Sequence, residues 1–369
     1  MTEHVTFPDL PETLTRAVED EDRAVMKNVL TPRGLKRRRV LIVGGAGYIG
    51  IPLTQHLLEQ GFDVRVLDLL LYENHGPVAG FLGHPGYEFM AGDLCDSAAR
   101  DAALDGISDV IILAGLVGDP ITKAYPQEHE AINEDGLARF VDALNGRSLN
   151  KVVFVSTCSN YGEIPADTTA DENFDLKPLS LYAKAKVARE QQLLAMDNHA
   201  DFCGVVLRFA TAFGLSGRMR FDLTVSEFTR DLHAGARLEV YDADTWRPYC
   251  HVRDFARALH RVLAFPRDIV GFEVFNAGGD VNNYTKKMIV DAIQDQVKTG
   301  EVVYVAGGAD RRNYRVDFGK IRKALHFEPA FTVPDGVREL ARALDQGFFA
   351  DYSARPDFYR NNTITYPRD

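Results

Sequence analysis

The sequence predicts an α/β protein: a doubly wound parallel sheet carrying a smaller C-terminal lobe. Three observations predict it. Short apolar runs recur at Val40–Val43, Val64–Leu67, Val110–Leu113, Val152–Val155 and Val205–Leu207. Helical patterns separate most of them, near Ile51–Gln60, Glu130–Leu144 and Tyr182–Met196. Strands that alternate with helices build a parallel sheet covered on both faces. The third observation is "VLIVGGAGYIG", Val40–Gly50, where four glycines crowd the end of an apolar run. Glycine gives up the most backbone freedom on folding, so such a cluster implies a close approach to the backbone.

Taken in order, residues 1–37 form an N-terminal arm, rich in acid and proline and ending near "KRRR". Its stretch "LPETLTRAVEDEDRAVMKNVL" has apolar residues at helical spacing and is expected to pack on the body. Residues 38–210 form the sheet domain, with later segments near 245–280 returning to it. Residues 211–345 form most of the smaller lobe, where the pattern breaks into shorter pieces. Residues 346–369 are a C-terminal tail.

The composition narrows the classes of function. The 369 residues are 46% hydrophobic, as in a globular protein. No apolar run reaches the ~18 residues of a membrane-span candidate, and the acidic start does not read as a secretory signal. Four separated cysteines form no CxxC pair, which argues against structural zinc and fits reduced thiols in a cytoplasm. A net charge of −11 without a basic domain argues against nucleic acid as the main partner. No metal, membrane or nucleic-acid partner is therefore expected.

Gly44, Gly47 and Gly50 form GxxGxxG between a strand and a helix, with Tyr48 and Ile49 in the same turn. Such a turn aims the helix's free amides and positive dipole end at a pyrophosphate. Asp68 ends the next strand, where a carboxylate accepts from ribose hydroxyls and repels a 2′-phosphate. Leu69 and Leu70 follow it, with no arginine to receive that phosphate, so NAD is favoured over NADP. In "AGDLCD", Asp93 beside Leu94 suits either an adenine amino group or a helix N-cap. Ala114 and Gly115 end the next strand and leave room for a flat cofactor, though small residues also suit tight packing.

Tyr182 and Lys186 in "SLYAKAK" lie four apart on one helix, about 6 Å along its axis. An ammonium near a phenol favours the phenolate, which can take a hydroxyl proton while hydride leaves to nicotinamide. Upstream, "VVFVSTCSNYG" ends a strand in Ser156, Thr157, Cys158 and Ser159. A hydroxyl there can share the substrate oxygen's proton, or simply cap the strand end.

The glycine turn, the strand-end aspartate, "GDL", "STCSNYG" and Tyr-x-x-x-Lys occur here in the order of the extended short-chain dehydrogenases/reductases. The chain resembles their NAD-dependent nucleotide-sugar epimerase/dehydratase group from about Arg39 to Asp345. The resemblance implies a Rossmann-type domain with tightly bound NAD, a lobe that grips a nucleotide-diphosphate sugar, and a homodimer. It implies that Thr157, Tyr182 and Lys186 are the catalytic hydroxyl, base and supporting lysine, the last two also facing the cofactor. Thr211 stands where the family places a substrate-contacting asparagine. Arg220, Arg247 in "WRPYCHVRD" and Arg312 in "DRRNY" are the expected substrate arginines, against the alternative of surface ion pairs. Sugar 4,6-dehydratases place Asp-Glu directly after the threonine, whereas this chain has Cys158 and Ser159, so dehydration is disfavoured. Cys158 reads as a small packed thiol rather than an acid–base group. "GRMRFDLTV" with "LVGDP" also resembles a subgroup acting at C4 of nucleotide-linked heptoses. The expected reaction is epimerisation through a transient 4-ketone. Net C4 dehydrogenation, ketoreduction or dehydration is the alternative, and a non-catalytic NAD sensor the remote one.

Overall fold

The computed structural model describes residues 38–165, 167–297, 300–308 and 312–367. The predicted N-terminal arm and its helical spacing lie outside them. The chain runs β1 (Arg39–Val43), α1 (Gly50–Glu59), β2 (Asp63–Asp68), β3 (Tyr87–Ala91), α2 (Ser97–Leu104) and β4 (Asp109–Ile112). It continues through α3 (Leu137–Asp142), β5 (Lys151–Thr157), α4 (Leu181–Leu194) and β6 (Cys203–Phe209). With β10 (Glu273–Ala277) these strands form one seven-stranded parallel sheet in the order β10-β6-β5-β4-β1-β2-β3. The chain builds outward from β1 to β3, then returns to β4 on β1's other side. That reversal opens a crevice at the carboxyl ends of β1 and β4, where open α/β sheets bind ligands.

Alternate side chains along a strand point to opposite faces, so each strand feeds two cores. Val40, Ile42, Val64 and Val66 pack with Leu53 and Leu57 of α1 and with Phe255 and Leu259 of a later helix, α6 (Val252–Ala264). Leu41, Val43, Leu67 and Val110 pack on the opposite side with Leu104 of α2 and Phe140 of α3. The returning helix is α6 (Val252–Ala264), and it feeds β10.

The second lobe is assembled from β7 (Thr211–Phe213), α5 (Thr224–His233), β8 (Arg237–Tyr241), β9 (Trp246–His251), β11 (Asn283–Thr285), α7 (Lys286–Gln294), β12 (Glu301–Val305) and α9 (Val333–Asp345). The short helix α8 (Gly319–Leu325) packs instead against the sheet core. Val225, Leu232, Ile289 and Val337 centre the lobe's own cluster. Strand β9 pairs with β7 on one side and β11 on the other, carrying Arg247 toward the crevice.

Two elements differ from the sequence pattern. The segment expected to be one helix over Glu130–Leu144 opens as a π-helical stretch, Glu130–Gly136, before α3. Within it the Asn133 amide holds the backbone N (2.7 Å) and O (2.9 Å) of Leu116, in the loop after β4. The residues after α9, expected only as a tail, pack back across the crevice. Their Tyr359 and Ile364 are both buried.

Candidate active site

The crevice holds a cleft of about 460 Å³ running from the β1 turn to the second lobe. Every residue singled out above as a site candidate lines it. At the cofactor end, Gly44 has φ +84° and Gly50 begins α1. A Cβ on Gly44 would lie 2.7 Å from the Ala114 nitrogen, and one on Gly50 2.4 Å from the Gly45 oxygen. Both glycines are therefore demanded by the protein's own packing. Gly47 is different: an added Cβ would meet only the Gly44 oxygen, at 3.4 Å. Nothing in the fold needs a glycine there, so the open space over Gly47 fits a ligand that approaches the backbone at the start of a helix.

Asp68 accepts from the Ala46 (3.0 Å) and Leu70 (2.8 Å) amides, which fixes its carboxylate at the end of β2. Burial raises its pKa, opposed by those two amides and by Arg218. Arg218 is a residue the sequence pattern did not single out. It comes from the loop after β7, is 1% exposed, and stacks 4.8 Å from the Tyr72 ring centroid. No arginine follows Asp68 in sequence, yet the fold brings this one to the same end of the cleft. Burial lowers its guanidinium to about 10. Asp93 accepts from the Cys95 amide (2.8 Å) and from the Tyr366 hydroxyl (2.9 Å), so the tail reaches this end too. Leu94, Ala114 and Gly115 line the wall between them. Gly115 has φ +130°, and its Cβ would lie 2.9 Å from the Asn133 side-chain oxygen.

At the centre, Thr157 closes β5 and Tyr182 opens α4. Ser180 caps that helix, its hydroxyl accepting from the Ala183 amide (3.2 Å). Tyr182 thus lies in the first turn, where the helix dipole favours negative charge. Tyr182, Lys186 and Glu190 form a buried stripe at spacing four. The Lys186 ammonium donates to the Val155 carbonyl (2.8 Å) and sits 4.7 Å from the Phe154 ring centroid and 5.9 Å from that of Tyr182. Burial lowers it to about 8, opposed by Glu190. Glu190 is clamped by Arg208 at 2.9 Å and also holds the Ser156 hydroxyl, which anchors the stripe beneath the strand end.

Burial pushes the Tyr182 phenol well up, and the cations that oppose this are Arg220 and then Arg312. The electrostatic partner expected from spacing was Lys186. Its ammonium lies 5.9 Å from the Tyr182 ring centroid while donating to the Val155 carbonyl, and the Arg220 and Arg312 guanidinium groups add to the field on the phenol. The Thr157 hydroxyl oxygen accepts from the Ser159 amide (3.1 Å), which leaves its own proton to donate into the cleft. Cys158 is buried against the Arg208 carbonyl (3.2 Å), and burial raises its thiol pKa, which fits a packing role.

Toward the second lobe, Arg220 is paired in two-point fashion with Asp222 (3.0 and 2.6 Å). Arg312 lies 3.5 Å from Asp119. Arg247 is buried in β9, its guanidinium 5.0 Å from the Tyr314 ring centroid. Tyr314 also escaped the sequence pattern, and its hydroxyl meets Ser159 at 3.1 Å. Thr211 opens β7 on the same wall. Among the described residues no group of three or more metal-ligating side chains forms a cation site, and no helix is long and apolar enough to cross a membrane.

Comparisons with known proteins show the family and the fold. The chain is 29% identical to the low-salt glycan biosynthesis protein Agl12 of Haloferax volcanii, over 81% of this chain and 96% of that one. It is 29% identical to a dTDP-glucose 4,6-dehydratase of Streptomyces griseus, over 81% and 91%. The UDP-glucuronic acid 4-epimerase of Bacillus cereus, solved with UDP-glucuronic acid and NAD, superposes with a TM-score of 0.76 at 22% identity, over 84% of this chain and 99% of that one. The profile of the NAD dependent epimerase/dehydratase family matches residues 40–278. The chain belongs to that family, as an extended short-chain dehydrogenase/reductase whose cofactor is NAD.

Proposed function

We propose that the protein is an NAD-dependent epimerase that inverts C4 of a nucleotide-diphosphate sugar through a 4-keto intermediate. The observation that carries this reading is the pairing of a helix-start tyrosine with a strand-end threonine, with no free carboxylate following. NAD, held by the turn after β1 and by Asp68, would supply the hydride acceptor and donor for C4. Tyr182 takes the C4 hydroxyl proton as hydride leaves and gives it back on return. Thr157 donates a hydrogen bond to the same oxygen. Lys186 is held by the Val155 carbonyl beneath the tyrosine ring and keeps a cation at that end of the cleft. Gly44, Gly47, Tyr48, Ile49 and Gly50 would hold the pyrophosphate, Asp68 the adenosine ribose, and Asp93 with Leu94 the adenine side. Ala114 and Gly115 would leave room for the flat ring.

Arg247 and Arg312 would hold the substrate diphosphate, because guanidinium presents its donors as a planar fork. Thr211 lines the same wall. Arg220, held in place by Asp222, acts less as a phosphate clamp than as a nearby cation that steadies the Tyr182 phenolate. Epimerisation needs the ketone to present its other face while its diphosphate stays anchored. The end of the cleft near Thr157 is lined by Ser159 and Tyr314, and its carboxylates, Asp119 and Asp222, are engaged by arginines. Dehydration across C5 and C6 would need an unpaired acid–base couple there, so the dehydratase relative is not the better guide. The test incubates the purified protein with NAD and with UDP-, GDP- and dTDP-hexoses, followed by proton NMR. A C4-inverted sugar without accumulated NADH is expected. A 4-keto-6-deoxy product, or stoichiometric NADH, would overturn the epimerase reading.

A further inference from the structure

We propose that the C-terminal segment Arg360–Tyr366 is a working wall of the cofactor site, a strap whose opening sets how fast the dinucleotide leaves. At about 3.3 Å per extended residue, the segment reaches roughly 20 Å, enough to cross the mouth of the cleft. It is anchored at both ends to different parts of the site. At its start, the Phe221 amide donates to the Tyr359 carbonyl (2.8 Å), and Arg218, which stands near Asp68, donates to the Arg360 carbonyl (2.9 Å). The Asn361 amide donates to Asp222 (3.3 Å), the carboxylate that holds Arg220. Asn361 and Asn362 then line the cleft itself.

At the cofactor end, Ile364 is buried among Leu116, Ile121 and Ile132, in the loop and helices that follow β4. Two residues on, the Tyr366 hydroxyl donates to Asp93 (2.9 Å), on the wall assigned to adenine. The segment joins no sheet and no helix. Among the described residues its hold on this end is the buried Ile364, the partly buried Tyr366 ring packed on the same cluster, and the phenol hydrogen bond to Asp93. Contacts so few allow local opening far below the cost of unfolding the sheet. The strap therefore keeps the cofactor in and lifts to let it exchange.

The proposal rests on the cofactor reading of the cleft, so the unaltered chain is first titrated with NADH by its fluorescence. Failure to bind there would count against that reading and not against the strap alone. Release is then followed by mixing the NADH-loaded protein with excess NAD in a stopped-flow instrument. Three variants are compared: the chain ended at Asn362, Ile364→Asp and Tyr366→Phe. The shortened chain and Ile364→Asp are expected to release NADH at least about tenfold faster, because the buried contact is lost. Tyr366→Phe should release it about two- to tenfold faster, the worth of one hydrogen bond. Unchanged release from the shortened chain and from Tyr366→Phe overturns the proposal. So does slower release, which would mean that the segment competes with the cofactor. If the shortened chain does not fold, Tyr366→Phe, which removes one oxygen, decides alone.

Discussion

Tyr182 carries two opposed influences: burial that keeps its proton on, and a helix start with nearby guanidinium groups that favours taking it off. Tyr182→Phe should leave NADH affinity and the unfolding midpoint nearly unchanged, because the ring still fills its place. Single-turnover reduction of NAD by the true sugar should slow by about 10²–10⁴. A wild-type rate in that variant would remove Tyr182 from the chemistry. Arg220 stands first among the cations lowering this phenol's pKa, so its loss should raise that pKa and move the rising limb of the pH–rate profile to higher pH. The change is best made as Arg220→Met with Asp222→Asn, since an unpaired buried carboxylate would be costly by itself. A limb that stays in place would return the tuning role to Lys186. Tyr182, Lys186 and Thr157 were legible in the sequence because each sits in a local motif. Arg218, Tyr314 and the Asp222 partner of Arg220 lie two residues from candidate arginines but were not read as site residues, because their partners Tyr72, Ser159 and Arg220 are set by the fold rather than by a local pattern.

Among elements, the turn from β1 to α1 was read correctly from its glycines, but the sequence could not divide them by purpose. Gly44 and Gly50 are required by neighbouring backbone, whereas Gly47 has open space above it. Gly44→Ala should therefore destabilise the fold by roughly 1–3 kcal/mol, combining a left-handed backbone with a clash. Gly47→Ala should leave the urea midpoint within error of wild type and weaken NADH binding about tenfold or more, by placing a methyl group where the pyrophosphate must approach. Equal effects of both changes on stability would contradict this division. The alternation of strands and helices was equally legible, since apolar runs of three or four residues and 3.6-residue periods are local signals. The π-helical stretch at Glu130–Gly136 was not, because Asn133 answers to a loop distant in sequence. Nor was the packing of the tail, whose residues follow neither period and gain their burial only from the surface they cross.

The whole molecule buries many ionisable groups, and their pKa directions set its response to alkali. Burial raises the thiols of Cys158, Cys203 and Cys250, and takes Cys95 to about 11. It takes Tyr72 and Tyr249 to about 12 and drives Tyr48, Tyr161 and Tyr182 higher still. A group raised on folding contributes stability that is fully present below its unfolded pKa and is lost as pH climbs toward its folded one. The thiols begin to act near pH ~8.5 and the phenols near ~10. Lys151 and Lys186 act the other way, because burial takes both to about 8. Between there and their unfolded value near ~10.4, the unfolded chain binds more protons and stability rises with pH. From pH 8 to 9 the lysines and the thiols oppose one another, so the urea midpoint should change little there. Above 9 the thiols, and then the phenols, outnumber them, and each costs up to about 1.4 kcal/mol of stability as the pH climbs by one. The midpoint should then fall steeply from pH 9 to 11, and Cys158→Ala with Cys250→Ala should make that fall shallower. A midpoint flat to pH 11 in the unaltered protein would mean that these thiols and phenols reach water before the chain unfolds.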